Sequence, residues 1–432
     1  MLDRLFRLRE EGTTPGTEVR AGVATFLTMG YILFVNPQIL AQAGMPANDV
    51  TLATALAAAV ATLVMGVYAN YPFALAPGMG LNAYFTFGVV LGMGVPYPVA
   101  LAAVFVEGLL FLLLTAGGIR AAIINAIPST LKTATMSGIG LFLAIIGLKN
   151  GGLIVAHPET LVTLGDVQSA PVLLTLFGLA LMGALLTRKV PGALLLGILT
   201  VTSITWVFGL SPLPERLVAM PTLPRETLLA FDFSLLLTGK FVTVVLAFLF
   251  VDFFDTAGTL IGVGQLGGFL DDQGRLPRAN RAFAADALGT TAGAMLGTST
   301  VTSYIESATG IEEGGRTGLT AVVVAVLFVG ALFFTPIIIA VPGAATAPAL
   351  IVVGALMMKG TRTLPWEQYD EAIPAFLTIA AMPLTYSIAN GIALGIVSYV
   401  LLKLLSGKPR EAHPLMYVLA VLLVLYYGFV GG

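Results

Sequence analysis

The chain has 432 residues, 57% of them hydrophobic and only 10% charged, with a mean hydropathy of +0.95; soluble domains carry roughly a quarter charged residues. The formal net charge is -2 and the cations are scattered singly, which excludes nucleic acid as a partner because no basic stripe with interleaved aromatics is present. The absence of cysteine removes disulfides, thiolate catalysis and most zinc sites, and both histidines, His157 and His413, fall in expected loops, so neither a metal centre nor a cofactor is expected.

Residues 1–20 are polar and charged and do not read as a cleavable signal peptide. Apolar runs long enough to cross a bilayer then follow near 21–42, 50–69, 73–95, 97–117, 131–149, 171–187 and 191–209. After a polar loop over 211–238, a second set lies near 239–263, 281–296, 298–315, 317–340, 345–358, 374–387 and 389–406. This predicts an all-α polytopic membrane protein with 14 spans, seven plus seven. A further apolar run, Leu415 to Val430, reads equally as an extra span or an interfacial helix within the C-terminal segment 408–432. Residues 119–127 and 365–372 read as amphipathic connectors at the surface.

Charge placement tests this topology independently. With a cytoplasmic N-terminus, only Lys149, Arg216, Arg225 and Lys240 of the 21 cations fall outside, as the positive-inside rule requires of a multi-pass protein in a cell membrane. An odd number of spans per half means that a repeated second half is inverted in the membrane. The halves do echo each other: LFVN at 33–36 matches LFVD at 249–252, and PGALLLGI at 191–198 resembles NGIALGI at 390–396.

Spans 3 and 10 differ from the rest. Residues 71–88 contain Pro72, Pro77, Gly78 and Gly80, and residues 298–310 are rich in Thr and Ser, so both are expected to be broken into half-helices. Interrupted segments at matching positions of two halves point to a transporter binding site. Asn82 and Tyr84 are expected just inside the first half-helix, and Tyr304 and Glu306 just inside the second. Carboxylates at membrane depth are costly and mark substrate or ion pathways; here they are Asp252 and Asp255 in the run FLFVDFFDTAGTLIGV (248–263), and Glu306 in TSTVTSYIESATG (298–310).

The motifs APGMGLNAYF (76–85), VDFFDTAGTL (251–260) and TSTVTSYIESATG (298–310), followed by GGRTGLT (314–320), resemble those of the azaguanine-type purine permeases within the nucleobase-ascorbate transporter superfamily. The resemblance covers essentially the whole chain. It implies a core domain of spans 1–4 (21–118) and 8–11 (239–340), which binds substrate, and a gate domain of spans 5–7 (119–210) and 12–14 (341–407). It further implies Asp255, three residues before Gly258, as the span 8 substrate-binding acid in preference to Asp252. Glu306 is implied as the span 10 acid, with Ser307 and Tyr304 beside it, and Asn82 as the span 3 polar residue. Thr259 occupies a position where uracil transporters of the superfamily carry a His, which leaves proton transfer to the carboxylates.

The function expected is import of a purine nucleobase, guanine or hypoxanthine and also adenine or xanthine, by alternating access. A carboxylate accepts ring N–H groups while backbone amides of half-helices donate to the carbonyl. Phe85, Phe250, Phe253 and Phe254 are candidates to stack on the ring. Buried carboxyls suit exchange of protons, so proton symport through Asp252, Asp255 or Glu306 is expected, with sodium second. Glu107 and Asp286 read as ties between helices. A homodimer is left open.

Other readings fare worse. GVGQLG at 262–267 fits a dinucleotide fingerprint but follows an apolar helix and lacks the strand–helix–strand context. An aspartyl protease pairing Asp255 with Asp286 leaves the broken spans unexplained, so no enzyme is expected. An anion transporter of sulfate-permease-like architecture would hold its anion on the same half-helix N-termini, yet such a site should not carry two acids pointing into it.

Overall fold

The computed structural model describes residues 2–117, 128–273 and 275–429. Among them, nine helices are long and apolar enough to cross a membrane, and the shorter apolar helices Met79–Gly92, Ala193–Val207 and Pro414–Leu425 accompany them. Helix starts follow from capping chemistry. Thr14, Thr238, Thr317 and Ser387 each offer a side-chain oxygen to a backbone N–H of the helix they precede, at Pro15–Met29, Gly239–Leu266, Gly318–Ala331 and Ile388–Leu405.

The helices pack in two groups. In one, Ala279–Leu296 lies against Tyr97–Ala116 and Ala47–Val64, Gly318–Ala331 against Pro15–Met29 and Ala47–Val64, and Gly239–Leu266 against Tyr97–Ala116. In the other, Gly343–Met357 and Tyr369–Leu384 both pack on Ser129–Asn150, Ile388–Leu405 on Tyr369–Leu384, and Ala170–Thr187 and Ala193–Val207 on Gly343–Met357. Small residues let these backbones approach, as expected where apolar surroundings give helices no hydrophobic reason to associate. A Cβ on Gly318 would collide with the Gly66 backbone, and one on Gly140 would lie 2.7 Å from the Gly354 carbonyl oxygen.

Two buried acids fasten helix ends. Glu18 accepts the N–H groups of Arg316 (2.9 Å), Thr317 (3.3 Å) and Thr320 (3.2 Å) and the Thr320 hydroxyl (2.6 Å), neutralising the open amides at the start of Gly318–Ala331. Asp49, in the first turn of Ala47–Val64, accepts N–H groups from Arg225, Glu226 and Thr227 and so pins the polar loop over 211–238.

Among the described residues, four short strands interrupt the helices: β1 (Leu75–Pro77), β2 (Ile154–His157), β3 (Leu161–Leu164) and β4 (Val301–Ser303). Strands β2 and β3 form a hairpin that places His157 in a polar turn with Thr160. Strands β1 and β4 pair antiparallel in the interior, Leu75 opposite Ser303, Ala76 opposite Thr302 and Pro77 opposite Val301. The predicted connector at 119–127 lies outside the described residues. Its counterpart at 365–372 is not a separate surface helix: a turn follows Pro365, and residues from Tyr369 onward form the first turn of Tyr369–Leu384, where Asp370 and Glu371 suit a helix N-terminus.

Gly318→Ala is expected to destabilise the protein by about 1–3 kcal/mol, because the helix crossing at Gly66 has no room for a methyl group. Gly183→Ala, with open space around its Cβ position, should be neutral. Thermal unfolding of the two variants in detergent checks the difference.

Candidate functional site

The site is built where the two broken segments cross. A chain that leaves the helix inside an apolar interior must find partners for its amides and carbonyls, and each segment supplies them for the other. Beyond the strand pair, the Gly78 N–H donates to the Thr300 carbonyl (3.0 Å) and the Tyr304 N–H to the Ala74 carbonyl (2.9 Å). The Ala74 N–H donates to Ser307 Oγ (2.9 Å), and the Tyr304 hydroxyl donates to the Pro77 carbonyl (2.6 Å). Gly78 is required there: a Cβ would sit 2.5 Å from Thr302 Cγ2.

Helices resume on the far side of each strand. After β1 comes Met79–Ala83, which widens into i→i+5 turns over Tyr84–Gly92, a form frequent at functional sites. After β4 comes Ser307–Glu312, with Glu306 at its N-cap. Asn82 is inside its helix as predicted, whereas Tyr304 and Glu306 precede theirs, because β4 extends to Ser303 and consumes the residues that would have formed its first turn. Asn82 is fully buried and its Oδ1 accepts from the Ser299 hydroxyl, while its Nδ2 has no acceptor among the described residues. The amide therefore carries donors that no described protein acceptor takes up.

Glu306 and Asp255 face each other across this crossing. Both are enclosed yet keep some accessible surface, unlike the fully buried Asp252. Glu306 Oε1 accepts the Tyr31 hydroxyl at 2.8 Å, and its carboxylate also meets its own backbone N–H. Asp255 lies within Coulombic reach of Glu306 and accepts the Thr302 hydroxyl from β4. Tyr31 and Tyr304 both sit in the field of the two acids. The sequence reading missed Tyr31; it stands at the break between Pro15–Met29 and Ile32–Ala41, two residues before the LFVN run, and that break was the available signal.

The remaining predicted residues divide. Ser307 is buried at the crossing and bonds Ala74 as described. Thr259 is one helical turn beyond Asp255 on the same face and buried, and no hydrogen bond ties it to the acid pair among the described residues. The Phe254 side chain lies outside the described residues. Phe253 packs on Phe111 and Phe283, with ring centroids 5.7 and 6.4 Å away, and Phe85 lies 6.3 Å from Phe248, so both rings are engaged in packing. Asp252 turns to a neighbouring face and meets Glu107 and Thr256 rather than Glu306.

Comparisons agree with this architecture. The model of a permease family, Xan_ur_permease, matches residues 16–394. Adenine permease AdeP of Escherichia coli K12 is 45% identical over 433 residues, covering 100% of this chain and 96% of that protein. Guanine/hypoxanthine permease PbuO of Bacillus subtilis is 45% identical over 425 residues, covering 97% and 98% respectively. Among solved structures, the transmembrane domain of the cyanobacterial bicarbonate transporter BicA superposes with a TM-score of 0.65 at 16% identity, covering 87% of this chain and 97% of that one, which shows a shared fold.

Proposed function

The chain belongs to this permease family, and on that premise we propose that it imports purine nucleobases by proton symport with alternating access. It is a multi-pass membrane protein and a transporter, not an enzyme. The observation that carries the substrate is the closeness of Asp255 and Glu306 beside the strand crossing, with Asn82, whose Nδ2 no described acceptor takes up, on the short helix that follows β1. Two carboxylates accept ring N–H groups and one amide donates to a ring nitrogen or carbonyl, a set that matches the hydrogen-bonding edge of guanine, hypoxanthine or adenine. A site of buried polar groups rejects molecules that leave them unpaired, so binding should favour bases that satisfy all three. The relatives named as adenine and guanine/hypoxanthine permeases support the same class.

Tyr304 and Ser307 are assigned to holding the crossing in place and Thr259 to lining it beyond Asp255, while Phe254 is assigned to base binding from the sequence alone. The fourteen-span inverted arrangement is supported by the two packing groups and by the similar roles of residues 71–88 and 298–310. The group containing 21–118 and 239–340 would be the core that carries the base, and the other group the gate. The N-terminus is assigned to the cytoplasmic side of the cell membrane, from the distribution of cations. A bicarbonate- or sulfate-type anion is disfavoured because two acids would face it, whereas sodium in place of protons is decided by ion replacement.

Glu306→Ala is expected to abolish purine binding while the protein remains folded, and Glu306→Gln to retain weak binding through its remaining acceptor. Calorimetry on purified protein checks this; near-normal affinity in Glu306→Ala removes the residue from the site. Motion is testable because the native chain has no cysteine. A Cβ on Gly80 would lie 3.7 Å from Ile139 Cβ, across the proposed core–gate boundary, which suits a disulfide. Oxidised Gly80→Cys/Ile139→Cys should stop transport and regain it on reduction; full transport by the cross-linked protein would exclude rigid-body alternating access.

A further inference from the structure

Behind the proposed base site lies a second set of acids that base recognition does not use. Glu107, Asp252 and Asp286 come from three different helices, Tyr97–Ala116, Gly239–Leu266 and Ala279–Leu296, and all three are fully buried. Asp286 is supplied with donors: Oδ2 accepts the Thr256 hydroxyl at 2.9 Å and Oδ1 the Ser303 hydroxyl at 3.3 Å. Glu107 is not. Its polar neighbours are the Asp252 carboxyl and the Thr300 hydroxyl, and neither of its oxygens, nor Oδ2 of Asp252, receives a hydrogen bond of ordinary geometry from a described donor.

Two carboxylates in hydrogen-bonding contact offer only acceptors, so the contact is satisfied when one of them carries a proton. The charged groups acting on Asp252 are Asp286, Glu107 and Asp255, all acids. Thr256 on the same helix and Thr300, Thr302 and Ser303 from the second broken segment bring hydroxyls. No set of three or more acidic, His or Cys side chains among the described residues is spaced to ligate a metal ion.

The matching position in the first half is neutral. Asn36, the last residue of LFVN, donates to Thr54 (2.8 Å) and Thr298 (3.0 Å) and satisfies them. Its counterpart in LFVD is Asp252, and Asp286 occupies the place in Ala279–Leu296 that Thr54 occupies in Ala47–Val64. Where one half has a neutral amide that donates to a hydroxyl, the other has two acids, and the excess negative charge calls for a cation. A hydroxyl bridge connects this set to the base site: Thr256 Oγ1 lies 2.8 Å from Thr302 Oγ1 and 3.4 Å from Asp252 Oδ1, and the Thr302 hydroxyl bonds Asp255.

We propose that Glu107 and Asp252 hold between them the proton that travels with the base, and that the Thr256–Thr302 hydroxyl pair couples this site to occupancy at Asp255. The assignment rests on the reading of the chain as a proton-coupled base carrier. On the loading side, water gives up a proton and an O–H bond forms on one carboxylate of the pair; on the release side that bond breaks and the proton returns to water. Each hydroxyl has one hydrogen, so a base N–H that takes over Asp255 frees the Thr302 hydrogen, and the bonding of Thr256 to the acids changes with it. Glu107 never touches the base.

The test uses the full-length protein in proteoliposomes with labelled adenine or guanine, comparing accumulation driven by an imposed pH gradient with exchange of labelled for unlabelled base. Glu107→Gln keeps the size and hydrogen-bonding capacity of a helix tie, yet should lose at least ~10-fold of the pH-driven accumulation while exchange stays within about threefold of the unaltered protein. Thr256→Val should lose coupling likewise and Thr256→Ser regain it, which keeps the inference testable should Glu107→Gln misfold. Accumulation by Glu107→Gln or by Thr256→Val at the unaltered level overturns it. So does accumulation in the unaltered protein that follows a sodium gradient and ignores a protonophore. An unaltered protein that exchanges neither base sinks the base-carrier reading itself, an outcome separate from loss of coupling.

Discussion

Polar backbone in an apolar interior must be paired, and here two interrupted segments pair with each other. That single requirement fixes β1 against β4, and the register of Ala76 opposite Thr302 decides which side chains meet. Glu306 is delivered to the N-cap of one short helix and Asn82 to the first turns of the other, while Thr302 is placed between Asp255 and Thr256. The crossing tolerates no alternative packing at Gly78, where a side chain would strike Thr302. A shift of the register by one residue would turn Thr302 to the opposite face and break both of its contacts.

Around that crossing the buried charge is sorted by how it is satisfied. Glu18 and Asp49 are paid in backbone N–H groups and serve as rivets between helix ends and loops. Asp286 is held by hydroxyls, Glu306 by a tyrosine, and Asp255 by Thr302. Glu107 and Asp252 stand apart because they contact each other, and neither Glu107 oxygen nor Oδ2 of Asp252 has a described donor. An uncompensated charge is expensive in low dielectric, so these differences in partner separate the acids satisfied by several donors from the pair on which the proton proposal rests.

Much of this was legible in the sequence, and the gaps have physical reasons. Apolar runs announced the membrane helices, and Pro72, Pro77, Gly78 and the Thr-rich stretch at 298–303 announced that two segments would not be continuous helices. What those segments do instead is a matter of pairing between residues more than two hundred positions apart, which local pattern does not encode; β4 therefore pushed Tyr304 and Glu306 ahead of the helix in which they were expected. Tyr31 escaped notice because a tyrosine in an apolar run has no signature until a carboxylate is placed opposite it. Glu107 and Asp286 were readable as buried acids but not as neighbours of Asp252, since one-dimensional spacing says nothing about which helices pack together. Phe253 reads the same as any other phenylalanine of its run until its ring is seen against Phe111 and Phe283.

The central claim is that the strand crossing recognises a purine base. Competition for uptake of labelled adenine, guanine and hypoxanthine, in a host lacking its own purine uptake and expressing this chain, tests it most directly. Saturable uptake of at least one of the three, competed by unlabelled purines and indifferent to sulfate or bicarbonate, is the predicted result. A correctly inserted protein that transports none of them, or that instead moves sulfate or bicarbonate, would contradict the account.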